Sequence, residues 1–207
     1  MDGEDLWRSH AGQTRQMWQR LDVTMQAEWF SHYYRIDLKE VPERYSGEQI
    51  VKVTASSPWL LRREVEKFGY YLRREFDYAA QFEASETGPY SAYIFASNEG
   101  FLWVGACCFR KRIFPDMGNV ELDTLSWAWL HPYFRNRGIL RQHWATLRAE
   151  HGDFFVEHPL SPQMRSFFLK YAKDSAWYQA IESGKANWDE IKARLQGKQT
   201  NQTESST

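Results

Sequence analysis

The stretch that decides the fold is VELDTLSWAWLHPYFRNRGILRQHWATLRAEHG, from Val120 to Gly152. Its first part is apolar and rich in tryptophan, and it predicts a long strand over residues 120–130. The part from Gly138 to His151 has apolar residues at helical spacing and predicts a helix. The chain therefore passes from a buried strand into a helix through a short connection.

That connection has an unusual composition for a simple turn. Pro132 fixes the angle at which the chain leaves the strand, and Arg135, Arg137 and Gly138 stand at the threshold of the helix. Helix N-termini carry unpaired backbone N–H groups and a partial positive charge, and a glycine lets the backbone approach an anion closely. The pattern predicts either a pyrophosphate-binding loop or an ordinary turn with two exposed arginines.

The elements on either side of this stretch alternate between strand and helix patterns. Short β-branched or alternating runs predict strands, and Ser-Pro pairs predict helix starts, with Ser as N-cap and Pro at the first helical position. The predicted strands are Gln49–Thr54, Tyr90–Ser97, Phe101–Arg110 and Asp153–Glu157, and the predicted helices begin at Ser57-Pro58 and Ser161-Pro162. This order predicts an α/β fold with a mixed, mostly antiparallel central sheet flanked by helices.

Both ends of the chain are predicted to lie outside that domain of residues 46–180. Residues 1–45 are predicted to be a helical extension, because Trp7, Trp18 and Trp29 recur every eleven residues, about three helical turns. Residues 181–196 are predicted to form a C-terminal helix with a capping box at Asn187 to Glu190. The polar tail, residues 197–207, is predicted to be disordered.

Composition excludes several classes of protein. Lysine and arginine number 26 against 27 acidic residues, a net charge of −1, so no strong field favours nucleic acid or a membrane surface. No apolar run approaches the ~20 residues of a membrane helix, and the N-terminus lacks a signal-peptide pattern. The two cysteines, Cys107 and Cys108, are adjacent, which disfavours a structural disulfide. We expect a cytoplasmic protein without a metal site.

The segment Leu125–Leu140 resembles motif A of the GNAT superfamily of acyl-CoA N-acyltransferases. That pattern is an apolar strand, V-x-P-x-x-Q/R-x-x-G-I/V-G/A, and then a helix. The matching residues are Leu130, Pro132, Arg135, Gly138 and Ile139, whereas Leu140 replaces the usual small residue. The order of elements from Gln49 to Tyr171 is also similar to this GNAT-like fold.

The resemblance implies a co-substrate, acetyl-CoA, in a gap between the fourth and fifth strands. The pantetheine arm would pair like an extra strand with the fourth strand near Trp129, Leu130 and His131. The pyrophosphate would receive backbone N–H groups from the loop that comprises Arg135, Asn136, Arg137, Gly138, Ile139 and Leu140. A primary amine would then attack the thioester directly. No metal is expected, because the cysteines and histidines show no metal-ligand spacing.

The resemblance leaves the general base open. Many family members carry a Glu at the position of Thr124, which cannot act as a base. Asp123 and Glu121 are the nearest carboxylates, and one of them would serve if the strand bulges, although either is also compatible with a solvated surface position. His131 has an unperturbed pKa of ~6.5 that suits a base near neutrality, but a lone His before Pro is often structural.

The general acid is similarly open. The family often places a Tyr after the fifth strand to protonate the leaving thiolate, and Phe168 stands at that position here. Tyr171 follows about one helical turn later, near the same face. We predict Tyr171 as the thiolate partner, with a packed amphipathic tyrosine as the alternative.

The function predicted from the sequence is N-acetyl transfer from acetyl-CoA to a primary amine of a small molecule or protein. The alternative is a non-catalytic module of the same fold that binds CoA or a protein partner without turnover. A nucleic-acid binder that uses Arg62, Arg63, Arg73 and Arg74 is a third reading, disfavoured by the neutral net charge. The sequence leaves a homodimer open.

Overall fold

The computed structural model describes residues 36–76, 82–187 and 189–195 of the chain. The tail predicted to be disordered, and residues 1–35 of the predicted helical extension, lie outside the described residues. The strands are β1 (Ile50–Val53), β2 (Ser91–Ala96), β3 (Trp103–Phe114), β4 (Val120–Leu130) and β5 (Phe155–Val156). The helices are α1 (Trp59–Phe76), α2 (Ile139–His151), α3 (Pro162–Tyr171) and α4 (Tyr178–Ser183).

The strands form one five-stranded sheet in the order β1-β2-β3-β4-β5. The first four strands are antiparallel, and β5 runs parallel to β4 through the pairs Thr124–Phe155 and Leu125–Val156. The predicted α/β fold class, with its mixed and mostly antiparallel sheet, is confirmed. The strand predicted over residues 120–130 agrees with β4 at both ends.

Each face of the sheet carries its own apolar core. On one face, α1 places Phe68 against the indole of Trp129, with ring centroids 5.7 Å apart. On the other face, α2 and α3 bury Leu147 and Phe168 in a cluster that includes Leu125. Because alternate residues of a strand point to opposite faces, β4 contributes to both cores, with Leu125 in one and Trp129 in the other.

A β-bulge interrupts β4 at Ser126. Cys108 pairs with Trp127 and Phe109 pairs with Leu125, so that Ser126 is the extra residue on the β4 side. A bulge of this kind bends the strand and increases its local twist. Here it lies immediately after the last pair between β4 and β5, at the point where the two strands part.

The structure differs from the sequence prediction at both ends of the described chain. Residues 36–42 are extended instead of helical, because Glu40 bridges to Leu102 and Val41 N–H donates to the Phe101 carbonyl at 2.9 Å. The C-terminal helix is interrupted, since α4 stops at Gly184, whose φ is +71°. Helical residues 189–195 follow, and Asn187 Oδ1 caps them by accepting from Glu190 N–H at 3.3 Å.

Among the described residues, no helix combines the length and apolar character that would let it cross a membrane.

Substitution of Gly105 in β3 tests how closely β3 and β4 approach each other. A Cβ at this position would lie 2.4 Å from the carbonyl oxygen of Trp129, which is backbone and cannot swing aside. We expect Gly105→Ala to lower the free energy of unfolding by about 1–3 kcal/mol, as overpacking does, measured by urea denaturation.

Gly69→Ala is the matched control, because Gly69 lies within α1 and its nearest neighbour, Trp127, would be 3.6 Å from the new Cβ. Replacing a helical glycine by alanine favours the helix by up to about 1 kcal/mol. Equal stability of the two variants would contradict the close approach of β3 and β4.

Candidate functional site

A gap opens between β4 and the chain that leaves β5. The last bond between them runs from Glu157 N–H to the Leu125 carbonyl at 3.0 Å. Beyond this point β4 continues for residues 126–130, whereas the pairing with β5 has ended. We call the space along this edge of β4 the β4–β5 gap.

The register of β3 and β4 determines which backbone groups face the gap. His131 N–H donates to the Val104 carbonyl at 2.8 Å. Because backbone groups alternate in direction along an antiparallel strand, Trp127, Trp129 and His131 direct theirs toward β3, and Ala128 and Leu130 direct theirs toward the gap. The Leu130 carbonyl accepts from Arg135 Nε at 2.9 Å.

Of the three strand residues predicted from the sequence, only Leu130 therefore presents its backbone to the gap. Ala128 is the other residue that does so, and sequence reasoning missed it because the direction of these groups depends on the bulge at Ser126. The side chain of Trp129 lies on the α1 face, where its indole N–H donates to Glu75 Oε2 at 2.8 Å.

His131 is fully buried at the end of β4. Its Nδ1 accepts from Tyr133 N–H at 3.2 Å. Burial, and then the nearby charge of Arg135, lowers the pKa of His131 to about 3. An imidazole with such a low pKa holds a proton poorly at neutral pH, so this environment argues against the predicted role of general base.

The side chain of Arg135 forms an ion pair with Glu75. Its guanidinium faces the carboxylate of Glu75 with both nitrogens, including Nη1 to Oε1 at 2.6 Å, and it lies over the Trp129 indole. Bidentate pairs of this kind have a defined geometry. The pair ties the connection between β4 and α2 to the end of α1, and Glu75, 60 residues away in sequence, carried no signal in the sequence.

The loop before α2 has the geometry of an anion site. Asn136 and Gly138 have φ angles of +61° and +87°, and Gly138 is the N-cap of α2 without a side-chain hydrogen bond from the described residues. The Gly138 carbonyl accepts the first backbone hydrogen bond of α2, from Gln142 N–H at 2.8 Å. By helix geometry, the N–H groups of residues 139–141 have no acceptor within α2.

The charges and side chains around that loop agree with this geometry. Arg137 is exposed and bends back so that Nε donates to the Tyr133 carbonyl at 2.8 Å, and the first turn of α2 contains no acidic residue. Ile139 is buried and Leu140 packs against the core, so the large residue at 140 leaves the loop open. These residues fit a pyrophosphate group.

Tyr171 lies beside the first turn of α2. The two helices α2 and α3 pack against each other, with the rings of Trp144 and Phe167 5.0 Å apart and the Arg141 guanidinium 5.8 Å from the Tyr171 ring. The hydrogen bond from Arg141 is the main cause that lowers the pKa of Tyr171. Phe168, at the family's usual tyrosine position, is buried in the core instead.

Asp123 is engaged at the opposite end of α2. Its Oδ2 lies 2.8 Å from His151 Nδ1, and His151 Nε2 lies 2.7 Å from the Tyr93 hydroxyl. Although the strand does bulge, at Ser126, Asp123 stays in this network. An open groove of about 680 Å³ runs along α2 and is lined by both Tyr171 and Asp123, but these residues lie at opposite ends of a helix about 20 Å long.

The remaining candidate residues lie in surroundings that do not suit proton transfer or nucleophilic attack. Glu121 pairs with Lys111 at 3.1 Å on the exposed surface. Thr124, at the family's Glu position, is fully buried, and its hydroxyl has no hydrogen-bond partner among the described residues. Burial raises the pKa of the Cys108 thiol to about 12 and raises that of Cys107 as well. The part of the chain that the structure describes contains no cluster of three potential metal ligands.

Comparisons with known proteins found similarity only among solved structures. No family model and no curated protein matches the chain. The acetyltransferase domain of xEco2 is 16% identical with a TM-score of 0.47, covering 66% of this chain and 92% of that one. The same domain bound to a K105-CoA conjugate is 17% identical with a TM-score of 0.44, covering 60% and 87%.

A ribosomal-protein-alanine N-acetyltransferase from Brucella melitensis biovar Abortus 2308 is 14% identical with a TM-score of 0.42, covering 58% of this chain and 89% of that one. The strand order of the sheet and the parting of β4 from β5 agree with the mixed α/β fold that the sequence predicts. The substrate of this chain is not given by these similarities.

The buried His131 predicts how stability depends on pH. Its pKa falls from ~6.5 in the unfolded chain to about 3 in the folded one. Between these values the unfolded state binds the additional proton, so stability is present above pH ~6.5 and is lost as the pH falls toward about 3, by at most about 1.4 kcal/mol per pH unit.

His131→Asn removes the titrating ring and keeps an acceptor for Tyr133 N–H. We expect the urea midpoint of this variant to fall less than that of the unmodified chain between about pH 7 and about pH 4.5. Parallel pH profiles for the two proteins would contradict the burial of a neutral imidazole.

Proposed function

We propose that this chain is an N-acyltransferase that transfers an acetyl group from acetyl-CoA to a primary amine of a small molecule or protein. The observation that carries the proposal is the β4–β5 gap, whose exposed backbone edge at Ala128 and Leu130 leads to the glycine-capped N-terminus of α2. A ligand whose extended arm carries amide groups and is joined to a pyrophosphate matches both parts of this surface.

Each part of the surface has a defined binding chemistry. The C=O group of Ala128 and the N–H group of Leu130 would pair with the pantetheine amides as one strand pairs with another. The N–H groups at residues 139–141 would receive the pyrophosphate, helped by the positive end of the helix. Arg135, held by Glu75, would set the position of the loop without itself binding phosphate.

Acetyl-CoA would supply the activated carbonyl, and the residues of the chain would position it and manage protons. A backbone N–H at the gap edge, such as that of Ala128, would donate to the carbonyl oxygen as negative charge develops there. Tyr171 would hold a proton for the departing sulfur, and its lowered pKa makes it a better proton donor than an ordinary phenol.

Binding of CoA without turnover is the second candidate. It is favoured by Thr124, because a hydroxyl stands where many family members carry the carboxylate that removes a proton from the amine. The two proposals differ in one measurable respect, since only the transferase releases free thiol from acetyl-CoA when an amine is added.

Thermal unfolding with and without acetyl-CoA tests the binding surface. A ligand at ~100 times its dissociation constant stabilises a protein by about 2.7 kcal/mol, which raises the melting temperature by several degrees for a domain of this size. We expect this rise in the unmodified chain and its loss in Gly138→Glu, because the new carboxylate would occupy the anion site and repel the pyrophosphate.

Gly100→Glu is the matched control. Gly100 also has a positive φ, +77°, and no atom lies within 4 Å of the place that a Cβ would take there, so the backbone strain is comparable while the gap is untouched. The control should keep the rise in melting temperature. Absence of a rise in the unmodified chain at millimolar acetyl-CoA would rule out the proposed function.

Tyr171→Phe tests the proton donor. The phenol must be protonated to act, so we expect the turnover of the unmodified enzyme to decrease as the pH rises through the lowered pKa of Tyr171. The variant should lose this alkaline limb, and its kcat should fall about 10²-fold or more.

Tyr178→Phe is the control, because the pKa of Tyr178 is raised and its hydroxyl donates to Glu182 on α4. It should keep both kcat and the alkaline limb. A Tyr171→Phe enzyme with an unchanged pH profile would assign the proton to another group.

A further inference from the structure

Polar groups without partners among the described residues are concentrated on the α1 face of the sheet, next to the bulge. Thr124 is 0% exposed, Trp127 5% and Tyr90 6%, and the two hydroxyls and the indole N–H have no hydrogen-bond partner there. Buried polar groups are normally hydrogen-bonded, because leaving one unpaired is unfavourable. Three such groups side by side suggest that their partner is a molecule which the folded chain receives.

The register of the sheet brings these groups together. Thr124 lies directly opposite Arg110, and Trp127 lies opposite Cys108. Tyr90 immediately precedes β2, where Ser91 pairs with Phe109, so the antiparallel register places Tyr90 beside Arg110, on the other side of β3 from Thr124. Tyr90 and Trp127 also both pack on the ring of Phe82.

Three charged side chains border this group of atoms. Arg110 pairs with Glu86 at 2.6 Å, and their side chains are 19% and 28% exposed, so the region is open to solvent there. Arg62 donates from Nη1 to the Ala84 carbonyl at 2.8 Å, and its Nε is buried without a partner among the described residues. We call these residues the acceptor cluster: Arg62, Glu86, Tyr90, Arg110, Thr124 and Trp127.

The acceptor cluster adjoins the closed end of the β4–β5 gap, where β4 and β5 part; we call this end the apex of the gap. Thr124 pairs with Phe155 of β5 and precedes the bulge by two residues. An amine held on this face would approach the apex from the side opposite to α2 and its anion-binding loop. The location is therefore suited to the second substrate of a transfer reaction.

The charges of the acceptor cluster indicate what that substrate carries. It contains two guanidinium groups and one carboxylate, so a simple amine would meet an excess of positive charge. A molecule with both an ammonium and a carboxylate would match it, since the ammonium would pair with Glu86 and the carboxylate with Arg62 and Arg110. The hydroxyls and the indole N–H would complete its hydrogen bonds.

We infer that the amine acceptor is an amino-acid-like molecule that carries a carboxylate, and that the acceptor cluster recognises it through Arg62, Arg110 and Glu86. This inference rests on the proposed function and narrows its substrate class.

Matched acceptors test the inference. Thiol release from acetyl-CoA is measured with lysine, phenylalanine and alanine, and with the same compounds lacking the carboxylate: 1,5-diaminopentane, 2-phenylethylamine and ethylamine. In any pair that the enzyme acetylates, we expect kcat/KM for the amino acid to be at least about tenfold higher than for the amine that lacks the carboxylate. Arg62→Met should abolish this preference by lowering the value for the amino acid alone.

Arg63→Met is the control, because Arg63 is the neighbour of Arg62 on α1, is 57% exposed and pairs with Glu66. It should keep the preference. Equal or better use of the decarboxylated amines, or acetylation of none of the six compounds by a chain that binds acetyl-CoA, would overturn the inference. Failure of the proposed function is distinct, since acetyl-CoA would then release no thiol with any amine, whether or not it raises the melting temperature.

A second test compares thermal stability with activity. Tyr90→Phe removes an unpartnered hydroxyl, so its melting temperature should equal or exceed that of the unmodified chain while kcat/KM for the amino acid falls. Tyr93→Phe, on the strand that follows, removes a hydroxyl that bonds to His151 at 2.7 Å, and it should unfold at a lower temperature. Similar destabilisation in both variants would mean that Tyr90 has a structural partner, which overturns the role of the acceptor cluster.

Discussion

The backbone of β4 beyond Ser126 is the constraint on which the rest of the structure depends. A strand within a sheet satisfies its N–H and C=O groups on both sides, and β4 does so only as far as Leu125, where β5 gives its last bond. The bulge turns the following residues so that Ala128 and Leu130 face open space. This edge is where we propose the ligand site, in the middle of an otherwise well-packed sheet, and both proposed substrates would meet where it begins.

The site is supported from both faces of the sheet. On the α1 face, the Glu75 carboxylate accepts hydrogen bonds from Arg135 and Trp129. In this way α1 helps to determine the position of the loop before α2. On the α2 face, α3 packs on α2 and brings Tyr171 to Arg141. The buried His131 links the two, because its ring accepts from Tyr133 within the loop. His131 and Arg135, which the sequence suggested for the site, thus make contacts that hold the loop before α2 in position.

Local pattern was sufficient for elements that depend on short-range physics. The strand over residues 120–130, the helix from Gly138 and the Ser161 cap, which accepts from Met164 N–H at 3.1 Å, follow from periodicity and from turn and cap chemistry. The prediction differed where distant pairing decided the outcome. Residues 36–42 are extended because Glu40 and Val41 find backbone partners at the start of β3, and no local signal indicates such a partner.

The sequence by itself determined the order of the elements, the mixed sheet and the glycine-containing loop that precedes α2, because these depend on the spacing of apolar residues and on the conformations that glycine and proline allow. Only the tertiary structure decided which candidate residues work together. Asp123 binds His151, Arg135 binds Glu75, and Thr124 lies opposite Arg110. The physical reason is that register, bulges and burial are set by contacts between residues far apart in the chain, and the same contacts decide which polar groups are satisfied and which remain for a substrate.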